Sequence, residues 1–273
     1  HLPALSYYPE GVGTTLVPPF IEGRSWVVEI LPYMDQQGTY DRWDKTAAWN
    51  STVLNASGSS NLSLASDLFI EALTCPNDES AFQVTGGLTY VANGGFASST
   101  LAAAAVGQTR GHTFFDSDFD WNSSGTTKDV EDKEITFKTG VFWANFSNGP
   151  GLKSICNNRC TSVGKIYDGS SNTLLLAENI NAGIVNWDNP ALNSCGFVFP
   201  LNGGSAAAGD TTKASNVALA NTPAAVKTGT TPFINQKKSG PEGAPFPNSN
   251  HPGIVVVSMC DGSARSLSEG LDK

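Results

Sequence analysis

The sequence predicts an α+β fold dominated by antiparallel β-sheet. Three observations carry that prediction. Only 15% of the 273 residues are charged, glycine fills 28 positions, and Ser, Thr and Asn are abundant; this composition suits strands and long ordered loops better than a helical bundle. The β-branched run Ile254-Val255-Val256-Val257 leads through Ser258-Met259-Cys260 to Asp261-Gly262, and a second short run returns from Ser263 to Leu267, the pattern of a β-hairpin. Helical spacing is confined to one short stretch near the N-terminus, at Trp26, Ile30, Tyr33 and Met34.

Residues 1–23, rich in Pro and Gly, read as an extended lead-in. Ser25 is the expected N-cap of a helix starting at Trp26, and Pro32 should kink that helix or split it in two. Its apolar stripe is expected to face the core. Residues 50–66 read as an Asn/Ser-rich loop, and Leu68 to Leu73 as a short helical or strand segment ending at Cys75-Pro76. Residues 88–92 alternate as a strand that ends in a turn at Asn93-Gly94-Gly95. Residues 96–134 look like an insertion. The runs 135–138 and 141–146 flank Thr139-Gly140 as paired strands. Asp168-Gly169 reads as a turn whose following Ser and Thr residues cap backbone groups, and Thr173 to Ala177 as a strand ending at Glu178. Residues 202–250 read as a long surface excursion. At the C-terminus, Asp261-Gly262 suits a two-residue type I′ turn. No boundary divides the chain, so residues 1–273 are expected to form a single domain.

Composition excludes several functions. The net charge is −9, and no basic cluster exists beyond Lys237-Lys238, which argues against nucleic acid and against anionic membrane surfaces. No run approaches the roughly 18 apolar residues of a membrane span. Five cysteines are present, and Cys156 and Cys160 stand close enough to close a small disulfide loop. No second Cys or His pair has zinc-like spacing. Five Asn-x-Ser/Thr sequons, at Asn50, Asn55, Asn61, Asn122 and Asn145, mark polar segments expected to be exposed.

Chemistry-bearing patterns are few. Asp116, Asp118 and Asp120 place carboxylates at alternate positions, as a calcium loop would, although an EF-hand would need Gly at position six and Glu at twelve where Trp121 and Thr127 stand. With those ligands missing, a solvated acidic loop is the favoured reading and a calcium site the second. His251, Asp261 and Ser263 suggest a catalytic triad, but the hairpin accounts for all three: Asp261 as turn residue, Ser263 as start of the return strand, His251 as a hydrogen-bonding residue beside the hairpin. Gly-x-Ser-x-Gly does not occur. Glu178, at the end of an apolar strand, is expected to lock a neighbouring loop by accepting hydrogen bonds. Trp43, Trp49, Trp121, Trp143 and Trp187 lie near polar residues, where exposed faces would stack on sugars.

His251, nine residues, then Asp261-Gly262-Ser263 resembles the C-terminal signature of a large family of planctomycete prepilin-type proteins. Four further blocks resemble that family in its order: Ser25-Trp26 to Leu31-Pro32-Tyr33-Met34-Asp35-Gln36, Cys75-Pro76-Asn77-Asp78, Thr89-Tyr90-Val91-Ala92-Asn93-Gly94-Gly95, and Asp168-Gly169-Ser170-Ser171-Asn172-Thr173 with Glu178. The family's proteins open with a prepilin leader and a long apolar helix. His1-Leu2-Pro3-Ala4 resembles the segment just after that helix, which is itself absent from this sequence. The resemblance implies a pilin-like globular head and a non-catalytic structural subunit of a type IV pilin-like or pseudopilin filament at the cell surface. Its partners would be copies of itself and other pilin-like subunits, joined through the N-terminal helix, which would also be its only membrane contact. An analogy with pseudopilin loops adds calcium as a possible ion. An extracellular glycan- or solute-binding module is the alternative, and an envelope hydrolase a more distant one.

Overall fold

The computed structural model describes residues 1–8, 23–98, 130–143, 145–146, 161–183, 186–190, 192–201, 234–235 and 247–270. They form an α+β fold. A five-stranded sheet has the order β6-β3-β5-β7-β8, with β3 at Tyr90–Ser98, β5 at Leu174–Glu178, β6 at Gly196–Leu201, β7 at Ile254–Met259 and β8 at Ala264–Ser268. All its neighbours are antiparallel except β3 and β6. A smaller sheet joins β1 (Ser6–Tyr8) antiparallel to β2 (Arg24–Ser25) and parallel to β4 (Asn145–Phe146).

Strand alternation gives the larger sheet two apolar faces. Val255, Val257 and Met259 of β7 meet Val91, Ala177 and Phe197 on one face. Ala92, next to Val91, lies instead in the main core with Trp26, Val27, Val28, Leu31, Leu64, Trp143 and Trp187. That core rests on the N-terminal helical segment. The Ser25 hydroxyl accepts from the Val27 N–H and caps α1 (Trp26–Ile30), as its sequence predicts. Pro32 then starts a 3₁₀ turn, Leu31–Met34, so the helix splits as expected, and α2 follows at Gln37–Arg42. The tighter turn rotates the buried face. Trp26, Val27, Val28 and Leu31 are buried while Tyr33, expected to face the core, is exposed.

Several local expectations are corrected. Residues 61–66 are a helix, α3 (Asn61–Ser66), because Ser60 and Ser63 form a capping box that the Asn/Ser-rich composition concealed. Asn61, expected to be exposed with the other sequons, is buried; its amide bonds the carbonyls of Asp44 and Ala48. Asn93-Gly94-Gly95 does not end a strand, since β3 runs through it with a register shift between Asn93 and Phe96. Residues 135–138 belong to a helix, α4 (Val130–Lys138), and β4 pairs with β1 rather than with them. The hairpin β7–β8 is present, but its turn is longer than two residues. Gly262 N–H donates to the Met259 carbonyl and Met259 N–H to the Ser263 carbonyl, and Gly262 alone has positive φ (83°), so Cys260 and Asp261 fill an ordinary turn followed by a glycine bulge.

A buried acid lies beside the start of α1. The Ser25 N–H donates to the Asp188 carbonyl and the Ser25 hydroxyl to that of Trp187, tying α1 to residues 187–188. The Asp188 side chain is fully buried, and among the described residues neither carboxylate oxygen has a hydrogen-bond partner from another residue. Burial therefore holds its carboxyl well above the usual range. The folded state keeps a proton that the unfolded chain releases, so this group's contribution falls as pH rises above the unfolded value of about 4. Asp188→Asn, neutral at every pH, should be more stable than the wild type at neutral pH, and the gap should close towards pH 4. Urea unfolding of both proteins across that range checks it.

Candidate functional site

Residues from four of the five signature blocks, at Cys75–Asp78, Thr89, Glu178 and His251, meet at one end of the larger sheet. The Cys75 N–H donates to the Thr89 hydroxyl, which donates to a buried Asp78 carboxylate oxygen (2.7 Å); the other oxygen takes the Ser80 N–H and hydroxyl. Asp78 N–H closes a turn onto the Cys75 carbonyl, with Pro76 at the position where its fixed φ fits. The turn therefore stands on β3. Thr89 N–H bonds the Leu73 carbonyl, and the Thr89 carbonyl takes the Asn179 N–H.

Glu178 ends β5. The last β5–β7 pair is Ala177 with Val257; beyond it the Glu178 side chain continues the ladder, its Oε2 accepting from the Val256 N–H at 2.8 Å. The carboxylate thus accepts from a strand, β7, rather than from the neighbouring loop that the sequence suggested. The Glu178 carbonyl accepts from Asn248 N–H, and Asn248 Oδ1 accepts from Ile180 N–H, which anchors the chain entering β7.

His251 closes the group. Its Nε2 lies 3.3 Å from Glu178 Oε1 and 3.6 Å from Cys75 Sγ, although Cys75 and His251 are 176 residues apart in sequence. Its Nδ1 faces the Asn77 amide nitrogen at 3.0 Å. Asn250 bonds the Asn77 carbonyl, and the His251 N–H bonds the Ser249 hydroxyl. Cys75 and Glu178 are buried, while a quarter of the His251 side chain meets solvent. Burial first, and then the Glu178 hydrogen bond and the Glu178 and Asp78 charges, push the Cys75 thiol up against the pull of the Asn77 N–H. Burial, and then the charges of Cys75, Glu178 and Asp78, push the Tyr90 hydroxyl, opposite Glu178 across β3–β5, up to about 12.

The Asp168 block sits apart from this group and holds the hairpin tip. Gly169 turns at φ 87°; Asn172 and Thr173 side chains bond the Asp168 and Gly169 carbonyls. The Ser170 and Thr173 carbonyls take the N–H groups of Asp261 and Cys260. The Ser263 hydroxyl and N–H hold the Asp261 carboxyl below the usual range, so Asp261 is bonded within its own turn and not to His251. His251 and Asp261 lie at opposite ends of β7, so they do not form the triad that their spacing suggested.

Other sequence-derived candidates are distributed differently. The proposed calcium ligands Asp116, Asp118 and Asp120 and the disulfide candidates Cys156 and Cys160 lie outside the described residues, as does Trp121. Trp43, Trp143 and Trp187 are buried, and Trp43 packs its ring 5.7 Å from that of Trp187; they are core, not a stacking platform. A cavity of about 570 Å³ lies between α4 and residues 165–168, where Tyr167 is the exposed aromatic. Sequence reasoning found Cys75, Glu178 and His251 one by one but not their meeting. It missed Asp78, Thr89 and Asn93 as buried hubs, whose signal was their position inside the blocks.

A family model described as a protein of unknown function, DUF1559 (SBP_bac_10), matches residues 3–273. No curated protein and no solved structure gives a significant match. With the match spanning nearly the whole sequence, the chain belongs to the DUF1559 family of proteins of unknown function.

Proposed function

We propose that this chain is the globular head of a pilin-like surface subunit and has no catalytic role. The observation that carries the reading is how the signature residues are used. Glu178 completes a strand ladder, Asp168 to Thr173 cap the hairpin tip, Asp261 closes a turn, and Cys75-Pro76 begins a turn braced on β3. Each is engaged in holding the fold together, Asp261 within its own turn and the others across to a neighbouring element. Such a pattern suits a protein selected to hold a shape for packing beside copies of itself.

The hydrolase alternative requires a histidine beside a carboxylate and a nucleophile, and His251 has both. The raised Cys75 thiol argues against it, because a thiol protonated at neutral pH is a poor nucleophile. In the proposed reading an apolar helix preceding His1 supplies assembly contacts, and the acidic head gives the filament its surface charge.

Negative-stain imaging of the full-length protein, with leader and helix, in a host that processes prepilins tests this. Regular filaments that vanish when the helix is deleted are the expected result. Dispersed monomers despite correct processing would overturn it and favour an exported binding module.

A further inference from the structure

We propose that Cys75, Glu178 and His251 form a binding site for a divalent transition metal, best suited to Zn²⁺, with solvent as the fourth ligand. The three side chains offer one sulfur, one carboxylate oxygen and one imidazole nitrogen, all within 4.8 Å of one another. Zinc bonds of about 2.3 Å to thiolate, 2.0–2.1 Å to imidazole and 2.0–2.2 Å to carboxylate, arranged tetrahedrally, put sulfur and nitrogen about 3.6 Å apart and nitrogen and oxygen about 3.4 Å apart. The observed separations are 3.6 Å and 3.3 Å.

A hydrogen-bonded cluster alone explains these distances less well. A buried imidazolium–carboxylate pair closes to about 2.7–2.9 Å. Here Nε2 stays 3.3 Å from Glu178 Oε1, outside that distance. Charge also favours a dication. Thiolate and carboxylate together bring two negative charges, which M²⁺ neutralises at a buried position.

The surroundings are those of a metal centre. Glu178 is fixed by the Val256 N–H on its other oxygen, the Asn77 N–H faces the Cys75 sulfur, and the Asn77 amide faces His251 Nδ1. With Nε2 on the metal, Nδ1 carries the proton and the Asn77 amide turns its oxygen to accept it. Asp78 is not a ligand, because both its oxygens are engaged by Ser80 and Thr89. The partial exposure of His251 leaves a path for the ion and a water molecule. The Cys75 thiol gives up its proton as the metal binds. The ion would tie the turn at Cys75, the end of β5 and the approach to β7 at one point.

The experiment uses the whole chain, stripped with a chelator. Titration with Co²⁺ should develop a near-ultraviolet thiolate-to-cobalt charge-transfer band that saturates at one equivalent. Zn²⁺ should displace it and raise the melting temperature. Cys75→Ser should abolish the band. Asn77→Ala, which keeps all three ligands, should weaken Zn²⁺ binding by about 10- to 100-fold. Should Cys75→Ser fail to fold, the wild type alone decides: Zn²⁺ should protect Cys75 from alkylation, read on the peptide that carries it. Absence of the band, or equal alkylation of Cys75 with and without Zn²⁺, would overturn the site. Neither readout depends on filament assembly, so the two proposals fail separately.

Discussion

Glu178→Ala should lower the unfolding free energy by about 3 kcal/mol, comparable to losing a charge-assisted buried hydrogen bond. The variant leaves the Val256 N–H without an acceptor where β5 and β7 part, and removes the carboxylate from His251. In a domain of this size each kcal/mol shifts the melting temperature by about 2–4 °C, so the midpoint should fall by roughly 10 °C. Glu178→Gln separates the two contributions. Its amide oxygen still accepts from Val256, so it should lose less than half as much. Thermal unfolding of the three proteins in the presence of chelator, so that no metal contributes, makes the comparison. An Ala variant no less stable than the Gln variant would mean that Glu178 does not brace the strands.

That expectation could be half-read from sequence. A glutamate closing an apolar strand needs a reason, and accepting hydrogen bonds from a neighbouring loop is the simplest. That the donor is a strand, β7, was illegible, because Val256 and His251 reach Glu178 only through the pairing of β5 with β7. The hairpin was legible for the opposite reason: its strands and turn are contiguous, so the local pattern carries the pairing. The turn type was not, since Asp-Gly serves both a two-residue turn and a bulged one, and the choice rests on whether Cys260 joins the turn. Ser25 and Pro32 acted as expected because capping and proline geometry are local. Tyr33 did not, because the 3₁₀ turn after Pro32 changes the period on which the stripe depends. The absence of paired zinc-like spacing had the same weakness. Spacing detects ligands held on one loop or helix, whereas Cys75, Glu178 and His251 come from three separate blocks.

Gly95→Ala should be more damaging still per atom added. Gly95 lies in β3 at φ 77°, a left-handed conformation that costs an L-residue about 1–2 kcal/mol. A Cβ there would also stand 2.7 Å from both the Cα and the nitrogen of Gly140. Relief cannot come from Gly140 moving away, because the neighbouring backbone is held: the Asn93 carbonyl takes the N–H groups of Val141 and Phe142. On its other side Gly140 has Trp143, whose ring its own Cβ would meet at 2.7 Å. The Asn93 side chain fixes the bulge as well, accepting from the Gly95 N–H and donating to the Leu174 carbonyl of β5. Two glycines thus let β3 and residues 139–143 cross in backbone contact, and Asn93 joins that crossing to the centre of the sheet. Strain and clash together should cost about 3 kcal/mol or more, whereas Gly164→Ala, with open space and no positive φ, should stay within about 0.5 kcal/mol of the wild type. Urea unfolding of the two variants measures both costs. Equal stability would mean that the crossing is loose enough to admit a methyl group, and that the glycines of the Thr89–Gly95 block are there for something other than close approach.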